Sequence, residues 1–258
     1  ECSAMSLNHL GEHFDIHGGG IDLKFPHHES EVLQTECHTN HTPMANYWLH
    51  SGHLTINNEK MSKSLDNFFL VRDIMKEYSA PVLRFYLLNG HYRSPIDFSD
   101  SNLEESLSAY KRLERAYNSL ESISNTGDQS PDELQKAINL CYLDFSNAMN
   151  DDFNTREALA VLFQFSRLVN GYQVGQLTKS LQKNLLDIFI ELGGKVLGLF
   201  GKFDIDSDLK HNIEQLVARR EAARHAKDWV LSDSIRDKLA SLGVEIEDTS
   251  SGTNWKLV

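Results

Sequence analysis

Asp15-Ile16-His17-Gly18-Gly19-Gly20-Ile21-Asp22-Leu23-Lys24-Phe25-Pro26 is the stretch on which the fold turns. A short strand-like run gives way to three glycines, a second apolar run and a proline. Proline can open a helix, because the N–H it lacks is one that the first helical turn leaves unbonded anyway. Strand, glycine turn and helix start make up the pattern of a ligand-binding edge in α/β proteins. Residues 47–56 read as another strand leading into a polar loop at 57–68, and helical segments follow at about 71–77 and 80–89.

Beyond residue 101 the pattern changes. Leu103, Leu107, Tyr110, Leu113, Tyr117 and Leu120 recur at intervals of three and four, which predicts an amphipathic helix. A break at 127–131 precedes a second helix at 132–149. Asn154 with Glu157 forms a capping box for a third, running to Val169, and a fourth spans about 181–200. Their apolar stripes predict a bundle core. A linker at 201–208 leads to helices at 211–227 and 230–242 and then to a hairpin of 244–248 and 253–257. That terminal module of about 50 residues is near the lower size for independent folding.

Composition narrows the function classes. Twenty-five Lys and Arg stand against 37 Asp and Glu, a net charge of −12, which argues against indiscriminate binding along nucleic-acid backbones but leaves room for a local basic face. No apolar run reaches the roughly 20 residues of a membrane span. Three separated cysteines (Cys2, Cys37, Cys141) make no CxxC pair, which fits a reducing cytoplasm better than a disulfide framework. Ten of the 12 histidines fall within the first 91 residues, so chemistry is expected at the front. The chain begins at Glu1, and residue 1 reads as a cut point.

Three groups of residues can carry chemistry. In Lys60-Met61-Ser62-Lys63-Ser64, two lysines on a serine-rich loop can fold over a triphosphate and neutralise charge as pyrophosphate leaves. In Phe25-Pro26-His27-His28-Glu29-Ser30-Glu31, a helix starting near Pro26 puts His27 and Glu31 on one face. With Cys2 they offer thiolate, imidazole and carboxylate, all acceptable zinc ligands, although a lone His-x-x-x-Glu is more often plain helix surface and His28 is a rival donor. Near the end, Arg219, Arg220, Arg224 and Lys227 suggest a basic helix face. Trp229 beside it offers a stacking plane, and Asp233 and Asp248 can accept from base edges, as single-stranded RNA readers do. A salt-bridged helix with a core tryptophan is the plainer alternative.

Taken in order, ECSAM (1–5), DIHGGG-x-DL-x-FPHHE-x-E (15–31), KMSKS (60–64), DDFNT (151–155) and AKDW (226–229) resemble the cysteinyl-tRNA synthetases, class I aminoacyl-tRNA synthetases, over essentially the whole chain. The resemblance implies an α/β remnant of a class I, Rossmann-like nucleotide-binding catalytic domain, then a helical bundle and a small α+β C-terminal module. It implies ATP-dependent joining of L-cysteine to tRNA(Cys) through cysteinyl-adenylate, with Mg2+ accompanying ATP. It assigns Lys60 and Lys63 to transition-state stabilisation. His17, Gly18, Gly19, Gly20 and Asp22, together with Met61, Ser62 and Ser64, fall to ATP and adenylate binding. Cys2, His27 and Glu31 become three ligands of one Zn2+ whose fourth ligand, a cysteine, lies outside this sequence. Arg224, Trp229, Asp233 and Asp248 become anticodon readers.

The implied partition is 1–56 for the zinc and adenylate half of the catalytic domain, 57–100 for the KMSKS loop and stem-contact region, 101–205 for the bundle and 206–258 for the anticodon module. No HIGH tetrapeptide occurs in the sequence, so this chain alone is not expected to aminoacylate. Two rival readings are a cysteine:aminosugar ligase, which has no need of the 219–255 segment, and a non-catalytic tRNA-binding fragment.

Overall fold

The computed structural model describes residues 1–56, 59–61, 70–123, 126–201, 207–226, 228–242, 244–249 and 252–257, several near the gaps by backbone alone. The chain divides into two compact units, Glu1–Gly201 and Lys202–Val258.

The first unit opens with helix α1 (Cys2–Leu10), which the sequence pattern did not reveal. Strand β1 (Phe14–Gly20), helix α2 (Glu29–Thr39) and strand β2 (Ala45–Ser51) then form a β-α-β crossover. β1 and β2 are parallel, with Ile16 opposite Tyr47, His17 opposite Trp48 and Gly19 opposite His50. Pro26 does lie at the head of a helix. Phe25 before it is extended (φ −138°, ψ 134°), as the residue preceding proline tends to be. Ser30 already donates its hydroxyl to the Pro26 carbonyl at 2.7 Å.

The strand expected at 47–56 is two strands in two sheets. β2 ends at Ser51, and β3 (Leu54–Ile56) pairs antiparallel with β4 (Glu59–Lys60) and parallel with β5 (Ile96–Phe98). Gly52 is the break. A Cβ there would run into the Ser94 carbonyl, and its own N–H donates to Tyr92 O at 2.7 Å, so the backbone of the 92–94 loop occupies the place of a side chain.

Helices α3 (Val71–Ile74) and α4 (Ala80–Leu88) lead to the bundle of α5 (Asp100–Glu121), α6 (Asp132–Asn150), α7 (Thr155–Asn170) and α8 (Lys179–Ile188). The predicted stripe is the core: Leu103, Tyr110, Leu113, Tyr117 and Leu120 are all buried. Asn154 caps α7 by accepting from Glu157 N at 3.2 Å. The fourth helix is not uniform to residue 200. After Ile188 it widens into π-type turns at Phe189–Val196, and Gly198 (φ 67°) then reverses the chain. Phe200 folds back to stack on Tyr110 and Tyr117, with its ring where a Cβ on Gly193 would sit.

The second unit packs α9 (Ser207–His225) and α10 (Trp229–Ser241) against the antiparallel hairpin β6 (Val244–Thr249) and β7 (Gly252–Leu257). Its core is Ile213, Leu216, Val217, Ile235, Leu239 and Val244, with Trp255 packed on it. Among the described residues, no helix is long and apolar enough to cross a membrane.

Candidate metal and nucleotide site

α1 lies against α2, and Ser3 in its first turn donates to Gln34 Oε1 at 3.1 Å. That docking carries Cys2 to the N-terminal end of α2, where His27 and Glu31 project one turn apart. Ligand atoms of Cys2, His27 and Glu31 all lie within 4.8 Å of one another. Donors about 2.0–2.3 Å from one tetrahedral zinc would be about 3.5 Å apart, and His27 Nε2 and Glu31 Oε1 stand close to that at 3.7 Å. Cys2 and His27 are exposed; the Glu31 carboxylate is buried.

A buried carboxylate needs partners. Glu31 Oε2 accepts from His17 Nε2 at 2.7 Å, while Oε1 faces His27 Nε2 at 3.7 Å. One oxygen is thus held by a neighbouring imidazole and the other is turned toward the exposed pair. This division suits a ligand carboxylate with its orienting partner. The donor set of thiol, imidazole and carboxylate fits zinc.

His17, His28 and Glu31 form a second convergent group. It is already satisfied as a hydrogen-bond network, since His28 Nδ1 meets His50 Nε2 at 2.9 Å and His17 is engaged with Glu31. One of the two rings in the His28–His50 pair donates and the other accepts. Burial, reinforced by the neighbouring His17, lowers the His28 pKa; burial, with Lys24 and Arg93 nearby, lowers that of His50. Both shifts favour the neutral ring. Trp48 lies edge-on to His17 (4.7 Å between ring centroids) and stacks against His50.

Sequence reasoning missed Trp48 and His50, and left His28 as a rival ligand. The available signal was that Trp48 and His50 are two apart on a strand and so point the same way. Of the β1 glycines, Gly19 abuts this cluster and Gly20 abuts Asp22. A Cβ on Gly19 would come 2.8 Å from His28 Cε1 and 2.9 Å from its Nε2, and one on Gly20 would come 2.6 Å from Asp22 Oδ1. The side chain of Asp22 is half exposed, 4.0 Å from His53 Nδ1. His17, the glycines and Asp22 thus lie at and just past the carboxyl end of a parallel strand, where α/β folds take ligands.

Lys60 is described by its backbone, paired to Thr55 in β4, and Met61 N donates to Leu54 O at 3.1 Å. Ser62, Lys63 and Ser64 lie outside the described residues.

In the second unit Trp229 opens α10 and is 59% exposed; the tryptophan packed on the core is Trp255. Asp228 caps α10 by accepting from Leu231 N at 3.0 Å. Asp233 pairs with Arg236 at 3.2 Å on the same helix. Arg224 is partly buried, and Asp248 sits in β6 opposite Thr253. The expected basic face needs one correction: Arg220 is buried, because it shares the inward side of α9 with Leu216, Val217 and Ala223. Glu221 accepts from Thr253 N at 2.7 Å and ties α9 to the hairpin.

Three family models match the chain: the class I (C) tRNA synthetase catalytic domain at residues 1–108, the DALR domain at 144–201, and the cysteinyl-tRNA ligase anticodon binding domain at 206–255. In fold, the chain resembles a leucyl-tRNA synthetase from Agrobacterium radiobacter K84, solved as a ternary complex with tRNA and LeuAMS. The TM-score is 0.56 at 19% identity, over 76% of this chain and 29% of that one. The β1–α2–β2 layer, the helical bundle and the matched models define a class I aminoacyl-tRNA synthetase fold. The chain is 45% identical to the cysteine–tRNA ligase of Shewanella frigidimarina, 44% to that of Carboxydothermus hydrogenoformans and 46% to that of Dichelobacter nodosus. At least 99% of this chain is covered in each case. It belongs to the cysteine–tRNA ligase family. The chain spans about half the length of these relatives, 54–56%.

Proposed function

We propose that the chain forms part of an enzyme that joins L-cysteine to tRNA(Cys) at the expense of ATP, by way of cysteinyl-adenylate. The observation that carries this reading is the meeting of Cys2, His27 and Glu31 at the end of α2, with Glu31 buried and held by His17. These three residues would hold a zinc ion, which when bound supplies a soft Lewis acid that prefers a thiolate to a hydroxyl. Serine differs from cysteine by one atom, too little for an apolar pocket to reject well. The family resemblance implies a fourth ligand, a cysteine, outside these residues, and with it that this chain alone does not aminoacylate.

His17 orients Glu31. Gly18, Gly19 and Gly20 let backbone approach the adenylate, and Asp22 accepts from a ribose hydroxyl or an ammonium. Lys60 and Lys63 neutralise the phosphates as pyrophosphate leaves, and Met61, Ser62 and Ser64 complete that loop. ATP enters with Mg2+. No protein nucleophile is required, since positioning and charge stabilisation carry both steps. Arg224, Trp229, Asp233 and Asp248 read the anticodon, and the exposure of Trp229 supports its stacking role. The functional partition is 1–56 for zinc and adenylate, 57–100 for the KMSKS loop and stem contacts, 101–205 for the bundle and 206–258 for the anticodon. The enzyme works in the cytoplasm.

The test is metal binding. Titrated with Co2+, the wild-type chain should develop the absorption of a thiolate-bound ion, and Zn2+ should displace it. Cys2→Ser and Glu31→Gln should each weaken binding at least 10-fold. Equal binding by Cys2→Ser, or by Glu31→Gln, overturns the ligand set; a wild-type chain that binds neither ion moves the same titration to the complete enzyme, where failure to bind overturns it.

A further inference from the structure

The loop at 91–94 touches both the candidate site and the helical bundle. Toward the site it closes the end of β2: Gly52 N donates to Tyr92 O at 2.7 Å, and Ile96 N donates to His53 O at 3.0 Å. Gly52 stands two residues past His50, whose Nε2 meets His28 Nδ1 at 2.9 Å. After burial and Lys24, Arg93 is the next cause of the lowered His50 pKa, so its charge is felt at that ring. Toward the bundle, the loop is held by one carboxylate in the turn between α6 and α7. Asp152 Oδ1 accepts from the Tyr92 hydroxyl at 2.7 Å and from Arg93 Nη2 at 2.9 Å, while Oδ2 accepts from Arg93 Nε. His91 Nε2 lies 3.8 Å from the same Oδ2.

Half-exposed ion pairs usually contribute little, because solvent screens them and ordering two side chains costs entropy. This one differs in having a two-pronged guanidinium fork and a phenol on the same carboxylate. The backbone of the turn is unusual as well. Asp152 and Phe153 both take left-handed conformations, with φ 55° and 54°. An aspartate there is an ordinary way to end a helix, but a bulky phenylalanine is not. Phe153 is 51% exposed, so burial of its ring does not offset the strain. Such strain persists where the surroundings over-determine it. Here the turn grips the 88–93 segment twice, through Asp152 and through Thr155 Oγ1, which donates to Leu88 O at 2.8 Å.

We propose that Asp152 is a positioning residue of the candidate site: by gripping Arg93 and Tyr92 it fixes the loop on which β2 ends, and with it the place of His50 against His28. The bundle thereby sets geometry at a site built on β1, α2 and β2. Its bearing on the reaction rests on the reading that this site takes cysteine.

The experiment follows the 258-residue chain under native conditions by amide hydrogen exchange and by acrylamide quenching of Trp48, with Trp229 and Trp255 changed to Phe. Asp152→Ala and Arg93→Gln should each speed hydrogen exchange at Gly52 N–H about 10-fold by easing local opening. Each should also make Trp48, which stacks against His50, more open to quenching. The double variant should do little more than either single one, because the two residues act as one unit. Leu162→Ala, at a buried bundle position, weakens the fold as a whole and should move neither readout. Arg93→Gln changes an exposed side chain and carries the test if Asp152→Ala does not fold. In the complete enzyme, Arg93→Gln should lower kcat/KM for cysteine in ATP–pyrophosphate exchange by about 10-fold or more, as misplacement of a site does. Unchanged hydrogen exchange and quenching in Arg93→Gln, or equal changes in Leu162→Ala, overturn the proposal while the cysteine reading stands. Faster hydrogen exchange with an unchanged kcat/KM overturns the positioning role. A complete wild-type enzyme with no cysteine-dependent pyrophosphate exchange overturns the cysteine reading, and the role in the reaction with it.

Discussion

Gly19→Ala tests the packing of the candidate site most directly. The added methyl would meet His28 Cε1 at 2.8 Å, His28 Nε2 at 2.9 Å and Leu23 Cδ1 at 3.1 Å. His28 cannot step aside cheaply: it is buried, its other nitrogen is bonded to His50 at 2.9 Å, and the rings of His17 and Trp48 lie 5.0 and 5.2 Å away. Gly19 does not occupy the left-handed backbone region, so the penalty is steric and not conformational. Overpacking of this kind costs about 1–3 kcal/mol. With a urea dependence of about 2 kcal/mol/M, the midpoint should fall by about 0.5–1.5 M.

Trp48 fluorescence, in a background with Trp229 and Trp255 changed to Phe, follows this region alone. Gly175→Ala is the control, because nothing lies within 4 Å of its Cβ position. The decisive arm is the double-mutant cycle with His28→Ala. If the clash is with the imidazole, adding the alanine at 19 should cost little once the ring is gone, giving a coupling of about 1–3 kcal/mol. Additive losses, or an unshifted midpoint in Gly19→Ala, would refute the argument that His28 is what demands glycine here.

Three other outcomes follow from the structure. Hydrogen bonds from Arg93 and Tyr92 hold the Asp152 pKa down at about 2, so its stabilising effect is present above the ordinary carboxylate range and is lost as pH falls toward 2. The melting-temperature gap between wild type and Asp152→Asn should therefore narrow from about pH 5 downward, and a gap that widens on acidification contradicts the pairing. Leu162→Ala, at a fully buried bundle position, should lower stability by about 2–5 kcal/mol in urea titrations. Leu140→Ala, 56% exposed, should stay within about 0.5 kcal/mol. On the proposed anticodon role, Trp229→Ala should leave the unfolding midpoint nearly unchanged yet weaken tRNA binding by about 1–3 kcal/mol; unchanged tRNA affinity would count against stacking.

Local chemistry explains what the sequence by itself determined. The bundle helices were legible because burial of one stripe imposes a period of three to four, as Leu103, Tyr110, Leu113, Tyr117 and Leu120 show. The cap at Asn154 and the terminal hairpin are likewise set by neighbours in sequence. His27 and Glu31 could be paired from spacing alone, since one helical turn separates them. Cys2, however, joined them only through a family resemblance, because nothing local indicated α1 or its docking on α2.

Only the tertiary structure decided the rest. His17 reaches Glu31 across 14 residues, and His28 meets His50 across 22, because β1 and β2 pair in one register. The split at Gly52 depends on a loop some forty residues further on, and Arg220 turned inward because α9 packs on its hairpin. Periodicity reports which side of an element is buried; which partner buries it is fixed by contacts between segments remote in sequence.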